Sequence, residues 1–363
     1  MKTLNHSYMS RLDHLRFAAF ILVIFHHCRG SINYGGSVSN LQDFASLWIR
    51  WGSSGVSLFL VLSGFLFCII SDAGRKKIQY SSFVKNRILR IAPLTVIFVF
   101  IAICVDQTNS TPMDIFRILT LQLNTGSPGT GWGYKLYPMG PIWTIAVEFQ
   151  FYLIFPFLAI FLSKGGLKSL SGIVVAFVLI KLSLVIFNGP GIYYRLYHSI
   201  IGRLDQFLIG MMVGYLYVNG YIKSSKAPQL IMIVASIATI SIFMHLNSQM
   251  TKWFMPFSFT FEAFGWALLI LGYTTLSINI NKRTDSIIAY LGGLSFSAYL
   301  THLVVAKALY MTILTPSPDK MSAIINTILF ILPVTIIVSM ITYTFIEKPF
   351  LNLRVKYTNG DNK

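Results

Sequence analysis

About ten apolar segments, each long enough to cross or nearly cross a bilayer, run along this chain at 15–33, 54–71, 91–106, 141–163, 171–188, 203–219, 229–246, 261–279, 287–310 and 323–346. Repeated runs of this length leave few choices. Backbone groups in lipid must hydrogen-bond within their own segment, so the expected fold is all-α, a polytopic helix bundle. Only 11% of the 363 residues are charged, less than half the roughly 25% usual in soluble domains. No long polar region remains to build a soluble domain. We therefore expect one integral membrane domain over 1–363, its core at about 9–350 and a short tail at 351–363.

The formal charge of +17 raises the question of nucleic acid. That function needs a basic patch on a soluble face, whereas the basic residues here sit in short gaps between apolar runs. Counted by alternate gaps with the N-terminus inside, 19 of the 29 Lys and Arg fall on one side and 8 on the other, with Lys181 and Lys307 within spans. This bias is the positive-inside signature and expects both termini in the cytoplasm. The basic start and first apolar run mimic a signal peptide. No small-residue cleavage site follows, and further spans do, so the segment is expected to stay as the first span. Cys28, Cys68 and Cys104 lie in or beside apolar runs without metal spacing, and read as small apolar core residues. A Cys28–Cys104 disulfide is the alternative.

The first span reads RFAAFILVIFHH, with Arg16 before its apolar run and His26 and His27 at its end. Eleven residues separate Arg16 from His27, about three helical turns, so the two share a face about 16 Å apart along the axis, while His26 points roughly 80° away. With Arg16 at the cytoplasmic surface, His27 reaches about the middle of a core roughly 30 Å thick. A histidine there faces a functional cavity or is hydrogen-bonded between helices. A thioester donor held near Arg16 could send its acyl arm inward to His27. Neighbouring positions on a helix do not face each other, so His26, His27 and Cys28 are not expected to hold a metal.

Other polar groups interrupt the spans. In KNRILRIAP, Arg87 and Arg90 are three apart on one face, and arginine forks suit phosphate. In PIWTIAVEFQFYLIFP, Glu148 is an intramembrane carboxylate, a functional group or half of an ion pair, while Trp143 and Tyr152 read as interface anchors. Ser63-Gly64 allows close helix packing or lines a passage. Arg203 and Asp205, two apart, are expected to pair with separate elements. His302 is a second acid–base candidate, and Glu347 reads as an end cap with a salt bridge, followed by Pro349 as a helix stop. Glu262 and Lys307 carry no assigned role beyond an ion pair. The loop at 107–140, with GSPGTGWGYKLYPMGP, is expected to be external, an aromatic loop or a cover for carbohydrate.

Taken in order, RLDHLRFAAFILVIFHH, GVSLFLVLSGFLF, RILRIAP, PIWTIAVEFQFYLIFP, GRLDQFLIGMMVGY, LGGLSFSAYLTH and FIEKPF resemble the membrane-bound acyltransferase 3 family, which includes O-acetyltransferases of bacterial surface polysaccharides. The family's Arg, ten intervening residues and His fall on Arg16 and His27, its Arg-x-x-Arg on Arg87 and Arg90, and its SGF on Ser63, Gly64 and Phe65. Where the family often reads W-S-x-x-V-E-E-Q-F-Y-L, Thr144 replaces the serine and Phe149 the second glutamate, and His14 stands where glycine is common. Longer members carry a fused extracytoplasmic SGNH hydrolase-like domain. The chain as given stops at Lys363 before any such domain, so transfer is expected to finish in the membrane domain or with a separate partner.

The resemblance implies a multi-pass protein of a bacterial cell (inner) membrane. It would move an acyl group, acetyl foremost, from cytoplasmic acyl-CoA to a hydroxyl of an extracytoplasmic glycan or lipid-linked glycan. Its catalytic residues would be His27 and Glu148. Arg16, Arg87 and Arg90 would hold acetyl-CoA, with Ser63 and Gly64 shaping its passage; no metal and no nucleic acid are expected. The rival is a transporter or translocase of lipid-linked glycan, using Glu148, Glu262, Lys181, Lys307 and the histidines as a path. The sequence leaves open the acceptor sugar, acetyl against longer acyl groups, direct transfer against an acyl-enzyme, and the oligomeric state.

Overall fold

The computed structural model describes residues 8–30, 32, 36–105, 111–125, 142–189, 191–249, 251, 253–315 and 320–358. Most of the expected external loop, including 126–141, lies outside the described residues. Among the described residues the chain is helical throughout, with no strand and only two isolated bridges, Ile78 with Thr358 and Ser225 with Leu276. In chain order the helices are α1 (Ser10–His27), α2 (Leu41–Arg50), α3 (Ser54–Ile70), α4 (Tyr80–Val105), α5 (Pro112–Thr120), α6 (Trp143–Asn188), α7 (Ile192–Tyr197), α8 (Ile200–Val218), α9 (Ala227–Ser248), α10 (Met255–Thr275), α11 (Lys282–Gly293), α12 (Ser295–Thr312) and α13 (320–351). Within α13 two stretches, Thr327–Ile331 and Tyr343–Glu347, are π-helical.

Among the described residues five helices are long and apolar enough to cross a membrane, and up to seven if each bent pair is one span: α2 with α3, bent by 65°, and α11 with α12, bent by 63°. Side chains such as Phe100, Phe157, Phe161, Phe187, Ile231 and Phe345 are exposed on the outside of the bundle, where lipid rather than water suits them. The expected ten spans exceed this count at three places. Gly166, at φ 59° and ψ −150°, breaks the 46-residue α6 into two helical halves. The other two are α1, which carries Arg11, Asp13 and Arg16, and α8, which carries Arg203 and Asp205.

The centre of the bundle is the contact between α3 and α8. A Cβ on Gly64 would lie 2.0 Å from the Phe207 carbonyl oxygen, and one on Gly210 would lie 2.1 Å from that of Val61. Only glycine lets the two backbones come this close. α1 packs against the start of α3 the same way, since a Cβ on Gly55 would lie 2.4 Å from the Ala19 oxygen.

Several expectations change here. Trp143 and Tyr152 are not interface anchors; both are buried and built into the core. Pro349 does not stop α13, which runs on to Leu351. Within the expected tail, residues 352–358 pack back on the bundle: Gln79 N–H donates to the Tyr357 oxygen at 2.8 Å and Asn86 Nδ2 to the Val355 oxygen at 2.6 Å, tying this segment to α4. All three cysteines are free thiols.

Candidate active site

Along α3 the residues Val56, Phe59, Leu60, Ser63, Leu66, Phe67 and Ile70 follow the three-four spacing of one helix face, and all of them line one cavity. From Val56 to Ile70 that face extends about 21 Å, much of the roughly 30 Å of a hydrocarbon core. The cavity encloses about 1370 Å³, part of it open to the outside.

Its walls collect groups from distant parts of the chain. Arg16 enters from α1, Asn86, Arg87 and Arg90 from α4, Thr144, Glu148 and Tyr152 from α6, Ser295, Phe296 and Tyr299 from α12 and its start, and Arg354 and Tyr357 from the folded-back end. The contacts order these groups along α3. At the Phe67 end, the Arg87 guanidinium lies 5.2 Å from the Phe67 ring centre, 5.5 Å from Phe83, 5.7 Å from Tyr152 and 5.9 Å from Tyr357. At mid-length Ser63 Oγ donates to Glu148 Oε1 at 2.9 Å, and the Tyr152 hydroxyl donates to the same oxygen. Nearer the start of α3 the Phe59 and Tyr299 rings meet at 6.3 Å, and Thr144 Oγ1 donates to the Tyr299 hydroxyl at 3.0 Å.

Guanidinium groups crowd this cavity, most closely at its Phe67 end. Arg16 is paired with Asp13 at 2.5 Å. Arg87 is caged by aromatic rings and its buried Nε has no hydrogen-bond partner. Burial and then the nearby Arg90 and Arg87 charges hold the Arg354 guanidinium down at about 10. Guanidinium groups crowded this way suit a multiply charged anion, above all a phosphate, which takes arginine forks in pairs.

His27 does not line this cavity. It lies just past its Tyr299 end, where α1 meets α12. The Tyr299 oxygen accepts from His302 Nδ1 at 2.7 Å, and His302 Nε2 lies 2.9 Å from His27 Nδ1. A carbonyl can only accept, so His302 carries its proton on Nδ1 and, when neutral, offers a lone pair at Nε2. His27 must then donate from Nδ1. Its own Nε2 is left with a lone pair, on a side chain that is exposed while His302 is fully buried. His26 takes a separate course, with Nδ1 donating to the Arg50 oxygen at 2.7 Å.

Of the residues expected at the site, Arg16, Ser63, Arg87, Arg90 and Glu148 share the cavity. Gly64 does not; it faces α8, and its place is helix packing. Arg354 and Tyr357 were not expected from sequence, because their segment carries no motif and reaches the cavity through its long-range tie to α4; Asn86 lies inside KNRILRIAP, where only the two arginines stood out. Glu347 is buried and accepts from the Ser297 hydroxyl. Two of the charges that a transport path would use are closed on partners: Lys181 Nζ meets Asp205 at 2.6 Å, and Glu262 lies 3.8 Å from Arg203, while Glu148 lines the cavity.

An apolar-walled helix bundle with an arginine-rich cavity, a carboxylate at its middle and a histidine pair beyond its end defines the class, a multi-helix membrane protein with a cationic cavity. The family model of an acyltransferase domain, that of the acyltransferase 3 family, matches residues 9–344, and the chain belongs to that family. A Staphylococcus aureus (strain MSSA476) protein named "Putative O-acetyltransferase" is 24% identical over 97% of this chain and 59% of its own length. O-acetyltransferase OatA of Staphylococcus aureus (strain NCTC 8325 / PS 47) is 24% identical over 96% of this chain and 58% of its own. The chain thus spans about three fifths of the length of the curated relatives it matches. No solved structure matches it.

Proposed function

We propose that the protein is a transmembrane O-acyltransferase of the cell membrane, multi-pass with both termini cytoplasmic. It moves an acyl group, acetyl foremost, from cytoplasmic acyl-CoA to a hydroxyl of an extracytoplasmic glycan or lipid-linked glycan. One observation carries this: a single long cavity gathers Arg87, Arg90 and Arg354 at one end, Ser63 and Glu148 at its middle and Arg16 in its wall, with the His27–His302 pair beyond the other end. The length of that cavity suits a nucleotide at the arginines with an extended acyl-bearing arm directed toward the histidines.

The arginines hold phosphate, and the thioester supplies an activated acyl carbon. As the acceptor oxygen forms its bond to that carbon, its proton passes to His27 Nε2, and the C–S bond breaks. The protonated His27 returns the proton to the leaving sulfur. A neutral imidazole with the proton fixed on Nδ1 is the form this step requires, and His302 fixes it. Glu148, with Ser63 and Tyr152 donating to one oxygen, orients the arm or an acceptor hydroxyl.

Membranes carrying the protein, given radiolabelled acetyl-CoA, should pass label into surface glycan. His27→Ala should cut transfer by about 10²–10⁴-fold. Failure of the wild type to label any glycan overturns the proposal; full activity in His27→Ala removes the role of that residue.

A further inference from the structure

A second cavity lies beside the histidines, where the end of α1 meets the starts of α3, α8 and α10. It encloses about 680 Å³, part of it open, within the roughly 300–1,000 Å³ typical of small-molecule sites. It contains no residue of the arginine-rich cavity, although α3 contributes to both: Val56 lines the first, and Ser53, Ser54 and Ser57 the second. We propose that this cavity binds a sugar ring of the acceptor, as a neutral polyol, and offers one of its hydroxyls to His27. This deepens the transfer reaction proposed above and rests on it for the role of His27, though not for the binding itself.

The walls are aromatic and polar in alternation. Trp51, Tyr193, Tyr197, Phe243 and Phe259 supply rings, with Tyr193 stacked on Phe259 at 5.5 Å. With Tyr193 stacked on Phe259 and Arg203 over Tyr197 and Phe259, these rings form an apolar wall by their edges, a match for the C–H groups of a pyranose. Two of the charged groups, Glu262 and Arg203, are held in place by their own partners. Glu262 accepts from Ser54 at 2.5 Å, Ser57 at 2.6 Å and Gln206 at 3.0 Å. Arg203 donates through Nε to the Tyr197 oxygen at 2.9 Å and lies 4.1 Å from both the Tyr197 and Phe259 ring centres. Arg203 and Glu262 offset each other, which leaves Arg50, 5.9 Å from the Trp51 ring centre, as the remaining charged group of the lining beside its hydroxyls and amide.

One donor in the wall is unsatisfied: the buried Nε1 of Trp51 has no hydrogen-bond partner. A buried N–H without an acceptor is costly, and a ligand hydroxyl oxygen is the partner this wall lacks. The position of the cavity gives the binding a consequence. His26 lines it, and the His26 and His27 rings are 5.1 Å apart, so a sugar held here lies next to the base.

The test uses the purified full chain in detergent with methyl glycosides of glucose, galactose, mannose and N-acetylglucosamine, binding being read by saturation-transfer NMR. Acetyl-CoA affinity and transfer are measured in parallel, and melting curves control for folding. At least one glycoside should bind the wild type. Trp51→Phe, which keeps a ring and removes only the N–H, should weaken it about two- to tenfold; Trp51→Ala should weaken it further. Acetyl-CoA affinity should not change in either. No glycoside binding to wild type, or equal binding by a folded Trp51→Ala, overturns the inference. Glycoside binding that depends on Trp51 without acetyl transfer leaves the site standing and overturns the proposed reaction instead.

Discussion

The molecule treats buried charge in two opposite ways. Around α8, Lys181 and Asp205 are both fully buried and close on each other at 2.6 Å, with the Thr260 hydroxyl also on Asp205. Arg203, Glu262, Gln206, Ser54 and Ser57 form a second satisfied network nearby. At the Phe67 end of the long cavity Arg87 keeps an unpartnered Nε and Arg354 is repelled by its neighbours. Desolvated charge is tolerated only with a partner. Where the protein supplies the partner the charge is structural, and where it does not, a ligand must. The two regions therefore predict different kinds of loss on mutation.

The largest effect should come from breaking the closed region. Lys181→Met leaves Asp205 buried without its counter-ion, and should cost about 3–5 kcal/mol of stability. Melting of the purified protein in detergent measures it. Adding Asp205→Leu should recover most of the loss, since replacing both ions by apolar groups removes the uncompensated charge. If Lys181→Met melts like wild type while acyl-CoA binding collapses, the pair belongs to the ligand path and the contrast between the regions fails.

The open region should respond the other way. Arg87→Ala and Arg90→Ala each remove a charge-assisted contact to phosphate, worth about 1.5–3 kcal/mol. That is about ten- to a hundredfold in acyl-CoA affinity, read by equilibrium binding. Melting temperature should hold in Arg87→Ala, because the change relieves repulsion on Arg354. Unchanged affinity would remove phosphate binding from these arginines.

Much of this contrast can be read from sequence, but unevenly. The spacing of Arg16, Arg87 and Arg90 put them on usable faces, and a carboxylate in an apolar span marked Glu148; all four reach one cavity. Three things could not be read. In helices apolar on every side, periodicity does not say which face meets lipid and which meets protein, so Gly64 looked like part of the passage and Trp143 and Tyr152 looked like surface anchors. His302 meets His27 across 275 residues, and Arg354 reaches the cavity only because the chain's end pairs with α4. No local pattern encodes either contact. The number of spans was hard to read for a related reason, since a single Gly166 with positive φ decides whether α6 is one element or two.

The smallest predicted effect probes the seam between the two regions. Ser63 sits on the same stretch of α3 as Gly64, yet the two face different neighbours. Ser63 donates to Glu148 in the cavity, while Gly64 abuts the Phe207 oxygen of α8. Ser63→Ala removes one of the two hydroxyls on Glu148 Oε1, and leaves Tyr152 in place. It should lower kcat by a factor matching about 0.5–1.5 kcal/mol, with acyl-CoA affinity and melting unchanged. Gly64→Ala should do the reverse: the added Cβ at 2.0 Å from backbone forces α3 and α8 apart, lowering the melting temperature first and activity only as the fold loosens. If Ser63→Ala is the one that melts early, Glu148 is a structural carboxylate like Glu262, and the cavity's only organised acid would move to the closed side of the comparison.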